Sequence, residues 1–197
     1  FQNSYTATTM KITDITSYHA HDGTRTIIFI QVETNSGIIG NGQPYSIGPD
    51  EAVLGTIENI RSWFIGQDPS RIEWLLRRAK NAIRFPPGPA EWSAISAIDH
   101  ALWDILGKKT GLPLHRLLGG PTRKLVRVYH GVSGSTPNDC AEHAKRLLAE
   151  GYTAFKISPY PPGWSEMPWG SVLHSARERV GAVREAVGSS PDIAIDI

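Results

Sequence analysis

Residues 97–113 read AIDHALWDILGKKTGLP, and this stretch decides the fold of the first half of the chain. Its spacing predicts a helix that begins near Ala90, in which alanine, isoleucine and leucine cover most of the circumference. Gly111, followed by Pro113, is a typical end for such a helix. A helix that is apolar on most sides is expected to be buried on more than one face.

Three ionisable residues interrupt this apolar helix: Asp99, His100 and Asp104. Each has a polar neighbour one helical turn away, because Trp103 follows Asp99 by four positions and Asp104 follows His100 by four. Buried polar groups in proteins are normally hydrogen-bonded. We therefore interpret the three as scaffold residues and expect the active site elsewhere.

The composition excludes several classes of protein. The 197 residues are 40% hydrophobic and 20% charged, and 20 basic residues face 19 acidic ones. This balance gives no field that would attract nucleic acid or an anionic membrane, and no apolar run approaches the roughly 20 residues of a membrane span. The single cysteine, Cys140, favours a reducing compartment, so we expect a cytoplasmic protein. Methionine first occurs at position 10, and we expect part of residues 1–9 to be non-native.

The sequence before the apolar helix predicts a small α+β unit. Two antiparallel strands are expected at residues 10–20 and 26–34, where apolar and β-branched residues alternate with polar ones. The stretch GIIGNGQPY (37–45) places glycines at expected turn positions. Apolar residues at helical spacing then predict one helix over 49–64 and another over 70–83.

After the apolar helix the pattern changes to alternating strands and helices. Strands are expected at 126–132, 154–158 and 193–197, with helices at 136–151 and 171–188 between them. This order is typical of parallel βαβ units. A closed barrel of such units needs roughly 250 residues, so we expect the chain to be the front part of a longer polypeptide. A small three-stranded α/β domain is the weaker alternative.

Two ionisable residues fall at the carboxyl ends of the predicted parallel strands, where the active site of a β/α barrel lies. They are Lys156 in AFKIS and Asp196 in IAIDI. Alone, Lys156 could be a lysine that extends from a strand end into water, and Asp196 a helix cap in the following loop. Together, on strands whose ends face one pocket, they favour a functional site.

The stretch AISAIDHALWDILGKKTGLPLHRLLGG (94–120) strongly resembles the signature helix of the enolase superfamily, in its mandelate racemase and muconate lactonizing branch. The resemblance implies an α+β capping domain followed by the start of a TIM-like, modified β/α barrel. We assign residues 10–125 to the capping domain and 126–197 to the barrel. Residues 37–45 resemble the turn after the second strand of that domain, with Gln43 where an acid is commoner.

The resemblance also implies roles for the strand-end residues. Asp196 matches the first of three acidic Mg²⁺ ligands, and a hard dication prefers such oxygen ligands. Lys156 matches the first lysine of a K-x-K motif, whereas Ser158 replaces the second, which is often the general base. Serine is too weak a base to remove a carbon-bound proton, so another group is expected to be the base. Lys156 would have to lose its charge to act as a base, and we expect this catalytic residue to place its positive charge beside the substrate carboxylate instead.

Two loops are candidates for substrate binding. PYPPGWSEMPWG (159–170) carries Tyr160 and Trp164, which are expected either to pack over a sugar or to form a contact between subunits. YHAHDGTR (18–25) carries His19 and His21 and matches a mobile loop of the family that closes over substrate. The two histidines could bind substrate hydroxyls or be bystanders on a solvated loop.

Family members that lack the second lysine commonly resemble acid-sugar dehydratases, so the resemblance implies a Mg²⁺-dependent lyase. It would remove the proton α to the carboxylate of an aldonate-type sugar acid and eliminate water through an enediolate intermediate. A racemase, epimerase or cycloisomerase of the same superfamily shares the first step and is the alternative enzyme. A family member that binds an acid without converting it is the alternative outside enzymes. We expect a small carboxylate as partner and a homo-oligomeric protein.

Overall fold

The computed structural model describes residues 9–45 and 48–197, which form two compact units, one ending at Thr122 and the other beginning at Arg123. The expectation for residues 1–9 therefore lies, except for residue 9, outside the described part of the chain. The elements in order are β1 Ile12–His21, β2 Thr26–Thr34, β3 Ile39–Gly42, α1 Asp50–Arg61, α2 Ile72–Ala82, α3 Pro89–Thr110, α4 Leu114–Leu117, β4 His130–Val132, α5 Pro137–Ala149, β5 Ala154–Ile157, α6 Trp169–Val187 and β6 Asp192–Ile195.

The first unit contains an antiparallel sheet in the order β1-β2-β3. The two strands predicted at its start are confirmed. Along β2 the buried side chains alternate at Ile28, Ile30 and Val32, so one face of the strand lies in the core. That core continues through α1 and α3, which pack against the sheet, and through α2, which packs against α3.

The glycine-rich stretch forms a third strand and not only a turn, which corrects the sequence prediction. Gly37 does turn the chain, with a φ of 79°, but Gly40 and Gly42 lie within β3. A Cβ at Gly40 would overlap the Ala101 carbonyl of α3, and one at Gly42 would overlap the Ala97 carbonyl. These two glycines therefore allow the strand to lie directly against the helix.

The apolar helix α3 is confirmed. Glu91 begins it by accepting a hydrogen bond from the Gly88 N–H at 3.0 Å, and Gly111 ends it with a φ of 68°. The buried residues form more than one face of the helix, as expected: Ser93, Ala94, Ile95, Ala97, Ile98, Ala101, Leu102 and Ile105.

Asp104 in α3 is a scaffold residue, as predicted, but its partners differ from the predicted His100. Its Oδ2 accepts hydrogen bonds from the Asn41 N–H at 2.8 Å and from the Lys108 Nζ at 2.7 Å. Lys108 also donates to the Ile39 carbonyl at 2.6 Å. Asp104 and Lys108 therefore link α3 to β3 through hydrogen bonds.

Asp99 in α3 is partly buried, and its Oδ1 has no hydrogen-bond partner among the described residues. Burial raises the pKa of this carboxyl above its ordinary value of 3.8, and the negative charge of Glu73 adds to the effect. The charge of His100 and a hydrogen bond from Trp103 oppose it. Asp99 therefore packs within the protein as a scaffold residue, and its ionised form is less favourable for the stability of the fold.

The first two helices are shorter than predicted. The helix expected over 49–64 ends at Arg61, and Phe64 is buried in the turn that follows. The helix expected over 70–83 begins at Ile72. Apolar spacing continued past the end of α1 because Phe64 and Ile65, in the turn that follows, also contribute to the core.

The second unit contains a parallel sheet in the order β4-β5-β6, with α5 and α6 as the connecting helices. Its core joins the sheet to both helices through residues such as Phe155, Ile157, Leu147 and Val183. The alternation of strand and helix predicted from the sequence is confirmed.

Strand β4 is shorter than the predicted 126–132, because only His130, Gly131 and Val132 have partners on β5. Val126 and Val128, which suggested a longer strand, are exposed. No helix in the described part of the chain is long and apolar enough to cross a membrane.

Candidate functional site

Lys156 and Asp196 meet at the carboxyl ends of neighbouring parallel strands. Lys156 lies on β5, opposite Gly131 of β4 and Ala194 of β6. Asp196 comes directly after β6, and its N–H donates to the Ile157 carbonyl at 3.0 Å, which continues the sheet by one residue. The Lys156 Nζ is 2.8 Å from the Asp196 Oδ2.

This ion pair is accessible to a ligand. The side chain of Lys156 is 37% exposed and that of Asp196 is 59% exposed. Flanking residues Phe155 and Ile157 point the other way, into the core against the helices. An exposed ion pair contributes about 0–1 kcal/mol to stability, so a bound carboxylate or cation can separate the two groups at little cost.

The loop after β5 holds the aromatic residues in one cluster. Tyr160 stacks on Trp164, with ring centroids 4.7 Å apart and an angle of 25° between the planes. Trp169 lies 6.4 Å from Tyr160. Gly163, with a φ of 71°, begins the short 3₁₀ turn that places Trp164, and the Trp164 ring keeps one part of its surface in solvent. The cluster therefore offers a flat aromatic surface.

The two histidines predicted to bind substrate are exposed at the end of β1. His19 lies opposite Ile28 and His21 opposite Thr26. His21 Nδ1 accepts the Gly23 N–H at 3.0 Å, so it helps to shape the turn to β2. In the same turn, hydrogen bonds from Thr24 and the Arg25 N–H lower the pKa of Asp22 to about 2.

A cavity of about 810 Å³ lies in the first unit, and the sequence did not indicate it. Arg25, Gln43, Ser96 and His100 contribute polar groups to its lining. His100 was interpreted as a scaffold residue, yet it is exposed and faces this cavity. The helical pattern could not reveal that His100 faces a cavity, because the cavity depends on how the strands pack against the helix.

Another missed residue is Arg179 of α6, which is only 4% exposed. It occupies the same stripe of the helix as Val172, Val183 and Val187. The sequence did contain a signal for Arg179, namely an arginine at a position of the helix where an apolar residue is expected. Such an arginine is notable because a buried cation needs polar partners.

The described residues 9–45 and 48–197 contain no group of three or more histidine, cysteine, aspartate or glutamate side chains that could hold a metal ion. Asp196 is a single carboxylate of the kind that Mg²⁺ prefers, and it is accessible. It fits the role of one ligand, and a complete site needs further donors.

Comparisons with known proteins place this geometry in context. Residues 6–119 match the mandelate racemase / muconate lactonizing enzyme N-terminal domain. A D-galactonate dehydratase from Ralstonia pickettii is 36% identical over 190 residues, which are 95% of this chain and 48% of that protein. The chain therefore spans about half the length of this curated relative.

Two crystal structures share the fold of both units. One is an enolase from Agrobacterium radiobacter, proposed to be a galactarate dehydratase and bound to Na and L-malate; it has a TM-score of 0.83 and 36% identity, and the match covers 94% of this chain and 48% of that one. The other is a mandelate racemase/muconate lactonizing enzyme from Jannaschia sp. CCS1, with a TM-score of 0.85 and 29% identity over 95% of this chain and 54% of that one.

These likenesses define an enolase-type architecture, in which an α+β capping domain precedes the first units of a β/α barrel. The chain belongs to the mandelate racemase/muconate lactonizing enzyme family.

Proposed function

We propose that the protein to which this chain belongs is a sugar-acid dehydratase. It removes the proton α to the carboxylate of an aldonate-type acid and eliminates water through an enediolate. The observation that carries the proposal is the exposed Lys156–Asp196 pair, 2.8 Å apart at the carboxyl ends of parallel strands. The name of the Ralstonia pickettii relative, a D-galactonate dehydratase, supports this substrate class.

The positive charge of Lys156 suits the removal of a proton from the α-carbon of a carboxylate. When a carboxylate loses its α-proton, a second negative charge develops on the carboxyl oxygens, and a fixed cation beside them stabilises the transition state. Lys156 supplies such a cation on a strand. Ser158, two residues further on, cannot act as the base, and Lys156 is assigned to binding and orienting the carboxylate. We assign the base to another group.

Asp196 is proposed to hold a divalent cation, Mg²⁺, together with carboxylates from further strands. When bound, Mg²⁺ supplies additional positive charge to the substrate carboxylate. Asp196 presents an accessible oxygen donor beside Lys156, so the position fits a ligand that serves the same carboxylate. The Agrobacterium radiobacter structure is bound to Na, and a cation in a structure of this fold supports the proposal.

Two aromatic residues and two histidines are proposed to contact the carbon chain and hydroxyl groups of the sugar acid. The stacked rings of Tyr160 and Trp164 suit the apolar face of a carbohydrate. His19 and His21, both exposed, have ring nitrogens that suit hydroxyl groups.

The test is an assay of full-length protein with a panel of aldonates and aldarates, following the appearance of 2-keto-3-deoxy acids. We expect product from at least one six-carbon acid with Mg²⁺ and its loss after chelation. Turnover that persists with excess chelator would contradict the role of the cation, and racemisation or epimerisation without loss of water would contradict the reaction type.

A further inference from the structure

A second cavity, of about 310 Å³, lies beside the carboxyl ends of β4 and β5. Hydroxyl groups and an aromatic surface form much of its lining: Ser133, Ser158, Tyr160 and Trp164. Among the described residues of this lining Arg179 alone is charged, and it donates to the Gly134 and Ser135 carbonyls at 2.9 and 3.1 Å. The loop therefore engages the guanidinium, and the hydroxyl groups and rings are left for a ligand.

The register of the parallel sheet places the two serines of the cavity side by side. Val132 lies opposite Ile157 in the last pair of β4 and β5, and Ser133 and Ser158 are the residues that follow. Neighbouring strands lie about 4.8 Å apart. Both serines are exposed, so one ligand can contact both of them.

The loop that carries Ser133 is held on more than one side. Arg179 binds two of its carbonyls, as described above. A Cβ on Gly134 would lie 2.6 Å from the Cys140 nitrogen, so the loop packs directly against α5. A loop fixed in this way holds the Ser133 side chain in place before a ligand arrives, which favours selective binding.

His143 of α5 determines how the Ser133 hydroxyl group is oriented. Its Nδ1 accepts the Ser133 N–H at 3.1 Å, so Nδ1 carries no proton in this arrangement. The Ser133 carbonyl, 3.2 Å away, becomes a partner only when Nδ1 is protonated. The Ser133 Oγ lies 3.2 Å from the same unprotonated Nδ1 and must donate its hydrogen to it. The lone pairs of this Oγ therefore remain available as acceptors for a ligand.

Ser133 lies beside the part of a bound acid that follows the reacting carbons. Gly131 is opposite Lys156, and Ser133 lies two residues further on, which is roughly 6.6 Å of strand. Ser158, two residues beyond Lys156, stands where the family resemblance implies a group next to the α-carbon. An acid whose carboxylate is at Lys156 therefore extends its hydroxyl-bearing carbons past Ser158 and along Ser133.

We propose that Ser133 is a specificity-determining residue, whose Oγ accepts a hydrogen bond from a hydroxyl group that the sugar acid carries beyond its α-carbon. His143 is the positioning residue that keeps the Ser133 hydrogen turned away from the ligand. The stacked rings of Tyr160 and Trp164 in the same lining suit the apolar face of that carbon chain. This inference rests on the proposed function, because it takes the reacting carboxylate to lie at Lys156.

The experiment compares galactonate with 2-hydroxyhexanoate, which has the same carbon chain, carboxylate and α-hydroxyl but no further hydroxyl groups. Dissociation constants of full-length protein with Mg²⁺ are measured from the tryptophan fluorescence change on rapid mixing, before turnover. Ser133→Ala should reduce the preference for galactonate by about three- to tenfold, the effect of one hydrogen bond. Ser135→Ala in the same loop should leave it unchanged, because Ser135 binds Arg179 through its carbonyl. Equal preferences in the wild type and Ser133→Ala would overturn the inference.

A second set of variants tests the positioning role of His143. His143→Leu removes the acceptor and should reduce the preference for galactonate in the wild-type background, but not further in Ser133→Ala, since both residues act on one hydroxyl group. His143→Asn should retain most of the preference, because its Oδ1 is as many bonds from the backbone as Nδ1. Equal losses from His143→Leu in both backgrounds would overturn the positioning role.

The same variants separate this inference from the proposed function. Dehydration of galactonate together with a preference that does not depend on Ser133 would reject the inference alone. A preference that depends on Ser133, without dehydration of any sugar acid, would reject the proposed function alone.

Discussion

At Gly40 and Gly42 the missing side chains determine how closely β3 approaches α3. A Cβ at either position would meet a backbone carbonyl, which cannot move aside as a flexible side chain can. The sequence showed these glycines but not their purpose, since glycine in a strand and glycine in a turn look alike until the opposing helix is known.

We predict that Gly42→Ala destabilises the protein by about 1–3 kcal/mol or more, because the strand must shift away from the helix. Gly55 in α1 is the matched control, as nothing lies within 4 Å of a Cβ there. Gly55→Ala should be neutral or stabilising by up to ~1 kcal/mol. Denaturant titration measures both, and similar free energies of unfolding for the two variants would contradict the proposed close packing.

Asp99 leads to a prediction about pH. Its folded pKa is raised, mainly by burial, so the folded protein binds the proton more tightly than the unfolded chain does. Stability contributed by the protonated form is therefore lost as pH rises above the ordinary value of 3.8 and through the folded pKa.

Asp99→Asn removes this ionisation and keeps an acceptor for Trp103. The stability of the variant relative to the wild type should rise between acid and neutral pH, which thermal unfolding at a series of pH values measures. A constant difference in stability between the variant and the wild type across that range would show that ionised Asp99 does not destabilise the folded protein.

At the scale of elements, local pattern predicted most of the helices and strands, and tertiary contacts decided the rest. The long helix α3 followed from its apolar residues and its terminal glycine. The end of α1 did not, because Phe64 is buried without being helical. The short β4 depends on how many residues find a partner on β5, which a single strand's composition cannot reveal.

The start of α5 allows a direct test of one element. Thr136 caps it by accepting the Asp139 N–H at 3.1 Å, and Asp139 accepts the Thr136 N–H in return. Thr136→Ala should cost about 1 kcal/mol of stability. Thr56→Ala, within α1, is the control and should be neutral or slightly stabilising. Calorimetric unfolding that ranks the two variants in the opposite order would contradict the capping role.

At the scale of the whole molecule, the candidate site follows from topology. Parallel strands bring their carboxyl ends to one edge of the sheet, so Lys156 and Asp196 were predicted to meet although 40 positions of sequence separate them, and they do. That Arg179 and His100 line cavities was not predicted, since these cavities form between elements. The sequence pattern therefore located the charged residues at the strand ends, but not the residues that line cavities between elements.

The most direct test of the account compares two aspartates of the same strand region. Asp196 pairs with Lys156 beyond the carboxyl end of β6, and Asp192 pairs with Arg127 at its amino end, 2.5 Å away. The measurement is the Mg²⁺-dependent rate of sugar-acid dehydration by full-length wild-type protein and by Asp196→Asn and Asp192→Asn. We predict a loss of at least about a hundredfold for Asp196→Asn and near wild-type activity for Asp192→Asn. Equal rates for the two variants would contradict the placement of the active site at the carboxyl ends of the parallel strands.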